Sequence, residues 1–224
     1  MLLRGVQRAF KDLAFRTPAA RFLMPRYHYN FRPAQLGFLV SMLDEVRSVD
    51  GAVVEVGCFA CATTIYLREH LADLGRRRRY VAIDTFDGFL AADVGHEIRV
   101  RAPVIERRSL DYTGFSMNRR SWVERSLALS GHGDVELVQG DAGALDYGQF
   151  APIAFALIDV DLYRPVSRAL NSIAQFMTPG SRIVVDDCHP DNVFDGALQA
   201  YTEWCGENYR QPEIVHEKLG VIRF

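Results

Sequence analysis

The chain has 224 residues, a formal net charge of −2 and 49% hydrophobic residues. This length fits one domain of ordinary size with room for a small appendage, and the apolar fraction excludes a largely disordered chain. Because the charge balance lies near zero, neither nucleic acid nor a membrane surface is expected as the main partner. No apolar run approaches the roughly 18 residues that are needed to span a bilayer.

Residues 1–50 predict a helical cap or lid. The segment from Met1 to Phe15 has the pattern of a basic amphipathic helix, which suits packing on the domain, a mobile lid or a contact with a membrane surface. Prolines interrupt the chain after it, and the aromatic stretch from Tyr27 to Asn30 suits either packing or a role in choosing the substrate. Residues 34–46 then carry apolar side chains at helical spacing.

Strands alternate with helices from residue 51 onward. The expected strands are Ala52–Val56, Arg79–Asp84, Val135–Asp141, Ile153–Asp159 and Arg182–Asp187, followed by a hairpin of Glu213–Glu217 and Gly220–Phe224. The expected helices are Thr63–Leu71, Arg119–Leu129, Pro165–Met177 and Asp195–Glu207, with T-P-G at Thr178–Gly180 turning the chain before the fifth strand.

This alternation predicts a Rossmann-like, doubly wound α/β domain over residues 51–224. Its sheet is expected to be mostly parallel, to lie between two layers of helices, and to end in an antiparallel C-terminal hairpin. The long stretch from about residue 85 to 133 is expected to be an insertion over the active site.

All five of the predicted parallel strands end on or beside an acidic residue. Ligands of open α/β sheets bind beyond the carboxyl ends of the strands. The acids at those ends are Glu55, Asp84, Asp141, Asp159 and the pair Asp186 and Asp187. Aspartate also caps turns and helices, but that role does not explain an acid on every strand of one rim. The pattern therefore favours a site.

The first part of this rim suits a nucleoside cofactor. The turn from Glu55 and Gly57 to the next helix is rich in small residues, which allow a ligand to approach the backbone closely. Asp84, at the end of the second strand, can accept hydrogen bonds from the two hydroxyl groups of a ribose. The motif is weak by itself, because only one glycine of a G-x-G-x-x-G is present and a P-loop is absent from the sequence.

The second part of the rim suits a metal ion. Asp159, Asp161, Asp186 and Asp187 follow two strands that are expected to be neighbours, and clustered carboxylates repel one another unless protons or a cation neutralise them. Ligand sets made only of oxygen suit Mg²⁺, or another hard divalent cation such as Ca²⁺ or Mn²⁺. Asp159 is expected to bind the metal, and Asp161 either joins it or acts as a nearby base.

The four cysteines are expected to be structural. Cys58 and Cys61 form a C-x-x-C, but Cys188 and Cys205 lack the spacing of a second zinc-binding pair. The pair also lies in the predicted cofactor turn rather than in a thioredoxin-like context. Nothing in the cysteine pattern indicates an oxidising compartment, so we expect a reduced, cytoplasmic environment.

Four segments resemble the macrocin O-methyltransferase family. They are V-V-E-V-G-C-F-A-C-A-T-T, I-D-T-F-D-G-F, L-I-D-V-D-L-Y and I-V-V-D-D, and their order matches from about Val53 to the C-terminus. The resemblance implies a class I methyltransferase that uses S-adenosylmethionine and Mg²⁺ to methylate sugar hydroxyls of natural products. Two departures are Cys61-Ala62 in place of the usual Gly-Gly, and Val160 in place of the usual Gly between the aspartates.

The resemblance also implies a role for each matching residue. Glu55, Gly57, Cys58 and Thr63 belong to the cofactor turn, Asp84, Thr85 and Phe86 to the ribose site, and Asp141 and Ala142 to the adenine site, while Asp159, Asp186 and Asp187 bind the metal. In the reaction, Asp159 or Asp161 would take the proton from an acceptor hydroxyl. His189 follows the acid pair and is a candidate base or substrate contact, although a loop histidine of this kind is more often only solvated. Leu162 stands where methyltransferases of the catechol type carry a lysine, which argues against their mechanism.

Two other functions stay open at this point. Asp159-Val160-Asp161 is a D-x-D, the motif with which glycosyltransferases hold Mn²⁺ against a sugar nucleotide. A Rossmann-like binding module without catalysis is the second alternative, and Cys61-Ala62 supports it. For the enzyme, the expected partner is a small, possibly glycosylated hydroxyl acceptor, and homo-oligomerisation is left open.

Overall fold

A computed structural model describes residues 2–18, 20, 27–75, 77–101, 112–190 and 194–224. The chain divides into two compact units, residues 1–30 and residues 31–224. The smaller unit contains helix α1 (Leu2–Phe15), and in it the rings of Tyr27 and Tyr29 meet edge to face at 5.4 Å. The expected role of residues 1–50 as a cap or lid stays a prediction.

The larger unit alternates strands and helices as the sequence predicts. Its helices are α2 (Pro33–Glu45), α3 (Ala62–Asp73), α4 (Ala91–His96), a π-helical turn (Glu97–Arg101), α5 (Arg120–Leu129), a 3₁₀ turn (Tyr147–Phe150), α6 (Tyr163–Ala174) and α7 (Gly196–Glu207). Its strands are β1 (Ala52–Val56), β2 (Tyr80–Asp84), β3 (Glu136–Gln139), β4 (Ile153–Ile158), β5 (Met177–Val185), β6 (Glu213–Val215) and β7 (Leu219–Arg223).

The seven strands form one sheet in the order β3-β2-β1-β4-β5-β7-β6. The first five strands are parallel, and β7 pairs antiparallel with both β5 and β6. The predicted mostly parallel, Rossmann-like sheet with an antiparallel hairpin is therefore confirmed. The strand order reverses between β1 and β4, the place where open α/β sheets form a crevice beyond their carboxyl ends.

The sheet is buried because its central strands are apolar on both faces. Every residue of β1 and β4 is buried, as expected for parallel strands covered by helices on each side. Helix α6 turns Val166, Ala169, Leu170 and Ile173 toward this core, at the spacing of one helical face. None of the described helices is long and apolar enough to cross a membrane.

One expected turn is wrong. T-P-G at Thr178–Gly180 does not precede the fifth strand but lies inside β5. Ile153 pairs with Met177 and Phe155 with Arg182, so β5 accommodates extra residues as a bulge. Proline has no N–H for the ladder and Gly180 adopts a φ of 91°, which explains why these residues occupy the bulge.

Gly196 fixes how closely α7 approaches the start of α6. A Cβ at Gly196 would lie 2.3 Å from the backbone nitrogen of Tyr163, whereas a Cβ at Gly206 in the same helix would meet nothing within 4 Å. The two glycines of α7 therefore make a matched pair for mutation.

We expect Gly196→Ala to destabilise the protein by about 1–3 kcal/mol, because the added methyl group forces the two helices apart. Gly206→Ala is expected to stabilise it by about 0.5–1 kcal/mol, because alanine loses less entropy in a helix. Urea unfolding of both variants measures the difference. Equal effects of the two substitutions would contradict this account of the α6–α7 contact.

Candidate active site

The turn after β1 is shaped by a neighbouring loop of the protein. Gly57 has a φ of 91°, and a Cβ there would lie 1.7 Å from the carbonyl oxygen of Asp159. The N–H groups of Gly57 and Cys58 both donate to the carbonyl of Ile83. The sequence suggests that a small residue is needed here so that a ligand can approach. The structure shows that Gly57 instead allows the backbones of the loops after β1 and β4 to approach each other closely. This contact fixes Asp159 beside the predicted cofactor turn.

Glu55 lies beneath the turn rather than on its open side. The Glu55 carboxylate is buried and accepts hydrogen bonds from the hydroxyls of Thr64, at 2.7 Å, and Tyr80, at 2.6 Å. Burial is the largest cause of its pKa, which rises to about 7 although both hydrogen bonds lower it. The Glu55 carboxylate therefore links β1, β2 and α3 inside the core. Only the backbone of Glu55 is left for its expected place in the cofactor turn.

Cys58 and Cys61, which also lie in the predicted turn, have surroundings that are consistent with the structural role expected for the cysteines. Cys58 and Cys61 are buried free thiols, and a hydrogen bond between them, followed by burial, raises the pKa of Cys58. Thr63 is half-buried in the first turn of α3.

Asp84 organises the ends of β1 and β2. Its carboxylate accepts hydrogen bonds from the backbone N–H groups of Phe59, at 2.8 Å, and Phe86, at 2.7 Å. The side chain is half-buried, and burial raises its pKa. Thr85 donates its hydroxyl proton to the carbonyl of Gly88 at 2.6 Å. The predicted ribose acceptor therefore lies at the rim and is rigidly oriented.

The predicted adenine residues lie beside Asp84. The N–H of Gly140, just after β3, donates to the backbone carbonyl of Asp84. Asp141 then accepts from the N–H of Gly143 at 2.8 Å, and Ala142 is buried. The fold therefore brings the residues of β2 and β3 that are predicted to bind the nucleoside to one stretch of the rim, next to the β1 turn.

Asp159, Asp161 and Asp187 form the acid cluster. One carboxylate oxygen from each of the three residues lies within 4.8 Å of the others, and all three side chains are half-buried. Burial, followed by the negative charge of neighbouring aspartates, raises the pKa of Asp159 well above its ordinary value. Burial likewise raises the pKa of Asp161, together with a hydrogen bond to Asp187. Without a cation, Asp159 and Asp161 therefore bind protons more tightly than free carboxylates do.

Asp186 has a different environment from the one the sequence predicts. Its carboxylate receives the ammonium group of Lys218 at 2.6 Å, and the same group lies 3.0 Å from Asp187. Asp186 is 3% exposed, and its Oδ1 has no hydrogen-bond partner among the described residues. The oxygens that gather are thus those of Asp159, Asp161 and Asp187, whereas the predicted metal ligands are Asp159, Asp186 and Asp187. The difference arises because Lys218 draws Asp186 toward the β6–β7 hairpin.

His189 follows the acid pair in the loop after β5. Its backbone N–H donates to the carbonyl of Asp187 at 2.8 Å, and its side chain is half-buried. Its proposed role as a base or substrate contact stays a prediction.

Strained backbone is concentrated at this rim. Five of the eight positive-φ residues other than glycine in the described part of the chain follow the ends of β1, β2, β4 and β5: Phe59, Cys61, Phe86, Asp161 and Asp187. Such conformations cost about 1–3 kcal/mol each and persist where the surrounding structure holds them for function. The clustering supports a functional site independently of the charges.

The insertion contacts the rim at several described residues. The Asn118 side chain donates to the carbonyl of Phe59 at 2.7 Å, and the rings of Phe59 and Phe115 meet edge to face at 5.6 Å. Phe89 packs against Phe115 at 5.2 Å and against Phe194 at 5.5 Å. The expected position over the active site remains a prediction for the whole insertion, because residues 102–111 lie outside the described part.

Glu97 and Arg101 of the π-helical turn fasten the insertion to the acid-bearing loops. Glu97 accepts a hydrogen bond at 2.7 Å from the backbone N–H of Tyr163, the first residue of α6, and pairs with Arg101. Arg101 in turn lies 3.1 Å from Asp195, the residue before α7. These buried charges support the starts of α6 and α7.

The sequence reasoning missed Glu97, Arg101, Asn118 and Lys218. Glu97 caps a helix 66 positions away, and Lys218 reaches acids 31 and 32 positions away. No local motif signals such contacts. The one available signal is the predicted hairpin, which has Lys218 in its turn, and the pairing of β7 with β5 in the structure places this residue beside the acids.

The raised pKa of Glu55 makes stability depend on pH. In the folded state the pKa is about 7, above the ordinary 4.5, so this group favours the folded state fully below pH 4.5 and loses that contribution as pH rises through 7. The full difference corresponds to about 3 kcal/mol. We expect urea unfolding at pH 5 and pH 8 to show a smaller loss of stability for Glu55→Gln than for the wild type. Equal losses would contradict a buried, proton-binding Glu55.

Comparisons with known proteins identify a family and a fold for this chain. Residues 54–188 match the family model described as a methyltransferase domain. No curated protein matches the chain. Among solved structures, NovP, an O-methyltransferase, has a TM-score of 0.74 at 18% identity and covers 88% of this chain and 82% of its own. CalS11, a calicheamicin methyltransferase, has a TM-score of 0.66 at 24% identity and covers 86% of this chain and 80% of its own.

A third similar structure is an O-methyltransferase from Bacillus cereus in complex with SAH, with a TM-score of 0.55 at 14% identity, covering 95% of this chain and 88% of its own. These likenesses show the fold, and the family match covers more than half of the chain. The match supports neither the glycosyltransferase nor the non-catalytic alternative. The chain belongs to the methyltransferase-domain family, and the protein is an S-adenosylmethionine-dependent methyltransferase.

Proposed function

We propose that the protein is a metal-assisted O-methyltransferase that acts on a hydroxyl of a sugar or another small natural-product acceptor, as the resemblance to the macrocin O-methyltransferases implies. The observation that carries the proposal is the acid cluster, three carboxylates within 4.8 Å, fixed by the Gly57 contact beside the cofactor turn. Solved structures with the same fold include CalS11, described as a TDP-rhamnose 3'-O-methyltransferase.

The residues present fit a hard divalent cation. The cluster offers only carboxylate oxygens, and the buried Oδ1 of Asp186 beside it lacks a partner among the described residues. Asp159, Asp161 and Asp187 would hold Mg²⁺, with Asp186 and Lys218 orienting Asp187 from behind. When bound, the cation supplies Lewis acidity that lowers the pKa of a coordinated hydroxyl.

The residues at the β1, β2 and β3 ends fit the cofactor. S-adenosylmethionine supplies an electrophilic methyl group. Asp84, which two backbone hydrogen bonds hold in position at the rim, would accept hydrogen bonds from the ribose hydroxyls. Asp141 and Ala142 would border the adenine. Because the cofactor residues and the acids share one rim, the chain can hold an acceptor oxygen in line with the methyl group, and positioning supplies much of the rate.

Either Asp159 or Asp161 would take the proton from the acceptor hydroxyl. Both carboxylates belong to the acid cluster, so each would lie beside a hydroxyl held by the cation, and a positioned carboxylate can take its proton. Asp161 is directed by its positive φ of 57° and by the N–H of Ala197, which donates to its carbonyl at 3.1 Å.

The proposal divides the acids into a cofactor group and a metal group, and the division can be tested. We expect Asp84→Asn to weaken binding of S-adenosylhomocysteine by about tenfold or more, because a charge-assisted hydrogen bond to the ribose is lost. Asp187→Asn is expected to leave that binding nearly unchanged and to abolish metal-dependent methyl transfer. Calorimetric titration, with and without Mg²⁺, measures the first effect, and transfer of labelled methyl to vicinal-diol acceptors measures the second. Equal loss of cofactor binding in both variants would contradict the division.

The geometry also predicts which acids bind the metal. Asp161→Asn is expected to weaken Mg²⁺ binding by about 100-fold, and Asp186→Asn by only about tenfold, as for a residue that orients a ligand. Titrations at pH 8 limit competition from protons on the acids, because burial raises the pKa of Asp186 to about 6 and those of Asp159 and Asp161 well above their ordinary value. The reverse order of effects would instead support Asp159, Asp186 and Asp187 as the ligands.

A further inference from the structure

The helix α1 carries an exposed apolar face. Val6, Phe10 and Leu13 are 65%, 70% and 64% exposed. Their spacing of four and three residues places them along one side of the helix. Gln7, Lys11 and Asp12, at the positions between them, are exposed as well. A helix with this pattern needs a partner that offers an apolar environment to one face of the helix and an aqueous environment to the other.

Charge is distributed very unevenly between the two units. Residues 1–30 contain six arginine or lysine residues and one aspartate, a formal charge of +5. The remaining residues contain 20 basic and 27 acidic residues, a formal charge of −7. The near-neutral total conceals this asymmetry, which indicates an anionic partner for the N-terminal unit.

We propose that α1 binds the surface of a membrane that contains anionic lipids. Its apolar face would enter the boundary between headgroups and acyl chains, and its basic residues would contact the lipid phosphates. The helix spans 14 residues, about 21 Å, and it would lie in the plane of the surface.

Two other partners fit the observations less well. Nucleic acid would satisfy the positive charge but would leave Val6, Phe10 and Leu13 in contact with water. A second copy of α1 would cover those side chains but would place like charges next to each other. A membrane with anionic headgroups satisfies both features of the helix, and this inference does not depend on the identity of the methyl acceptor.

The test is flotation of the full-length protein with vesicles of phosphatidylcholine alone and with vesicles of equal parts phosphatidylcholine and phosphatidylglycerol. We expect binding to the anionic vesicles that weakens as salt increases, and at least tenfold weaker binding to the neutral ones. Leu13→Asp is expected to weaken binding to anionic vesicles by about tenfold or more, through lost apolar burial. Leu129→Asp is the matched control, because Leu129 is 70% exposed on α5 of the larger unit.

A second variant separates charge from apolar burial. Lys11→Glu should weaken binding to anionic vesicles by about tenfold or more and leave the weak binding to neutral vesicles unchanged, because it reverses one charge without altering the apolar face. Circular dichroism and thermal unfolding check that all variants fold.

Three outcomes would overturn the proposal. They are no binding of the wild type to anionic vesicles, equal losses for Leu13→Asp and Leu129→Asp, and an oligomer in solution that dissociates on Leu13→Asp while vesicles are not bound. The last outcome would assign the apolar face to a second copy of the chain.

Discussion

The contact between Gly57 and the carbonyl of Asp159 is the constraint on which the site depends. A Cβ at position 57 would lie 1.7 Å from that oxygen, so a side chain cannot be accommodated without moving one of the two loops. One loop carries the predicted cofactor turn and the other carries the first acid of the cluster. The strand order reverses between β1 and β4 at this place, and open α/β sheets bind their ligands at such a reversal.

The rest of the site follows from placing so much negative charge at that crevice. Burial and mutual repulsion raise the pKa values of Asp159, Asp161 and Asp186. Lys218 offsets part of this charge from the hairpin side, with its ammonium group 2.6 Å from Asp186 and 3.0 Å from Asp187. A hard cation would neutralise the remaining charge in the proposed reaction, so the acids that repel one another at this rim are the ones that would select the metal.

Much of the fold could be predicted because parallel sheets have a simple sequence pattern. Buried β-branched strands alternate with helices, and strands joined by a helix tend to lie close together, so the convergence of the acids after β4 and β5 followed from their positions alone. The acids Asp84, Asp159 and Asp187 lie at the rim as expected, whereas the Glu55 carboxylate lies beneath it. Thr178–Gly180 was misinterpreted because a bulge and a turn use the same residues, proline and a glycine with positive φ.

The direction of each side chain at the rim could not be predicted. Asp161 and Asp187 adopt φ values of 57° and 59°, which local propensity disfavours and which only the packed loops can impose. Asp186 points toward Lys218, and α6 is capped by Glu97 from the insertion, through contacts that span many residues of the chain. Glu55 matched its motif, yet its carboxylate serves the core, because Thr64 and Tyr80 lie on its side of the strand.

The most direct test of the account is the position of a divalent cation relative to the cofactor product. A crystal grown with S-adenosylhomocysteine and Mn²⁺ should show an anomalous peak within coordination distance of carboxylate oxygens from Asp159, Asp161 and Asp187, with Asp84 on the ribose hydroxyls. A bound S-adenosylhomocysteine without a peak at the acid cluster, or with Mn²⁺ at another place, would contradict the proposal that one rim of the sheet holds both the cofactor and the metal.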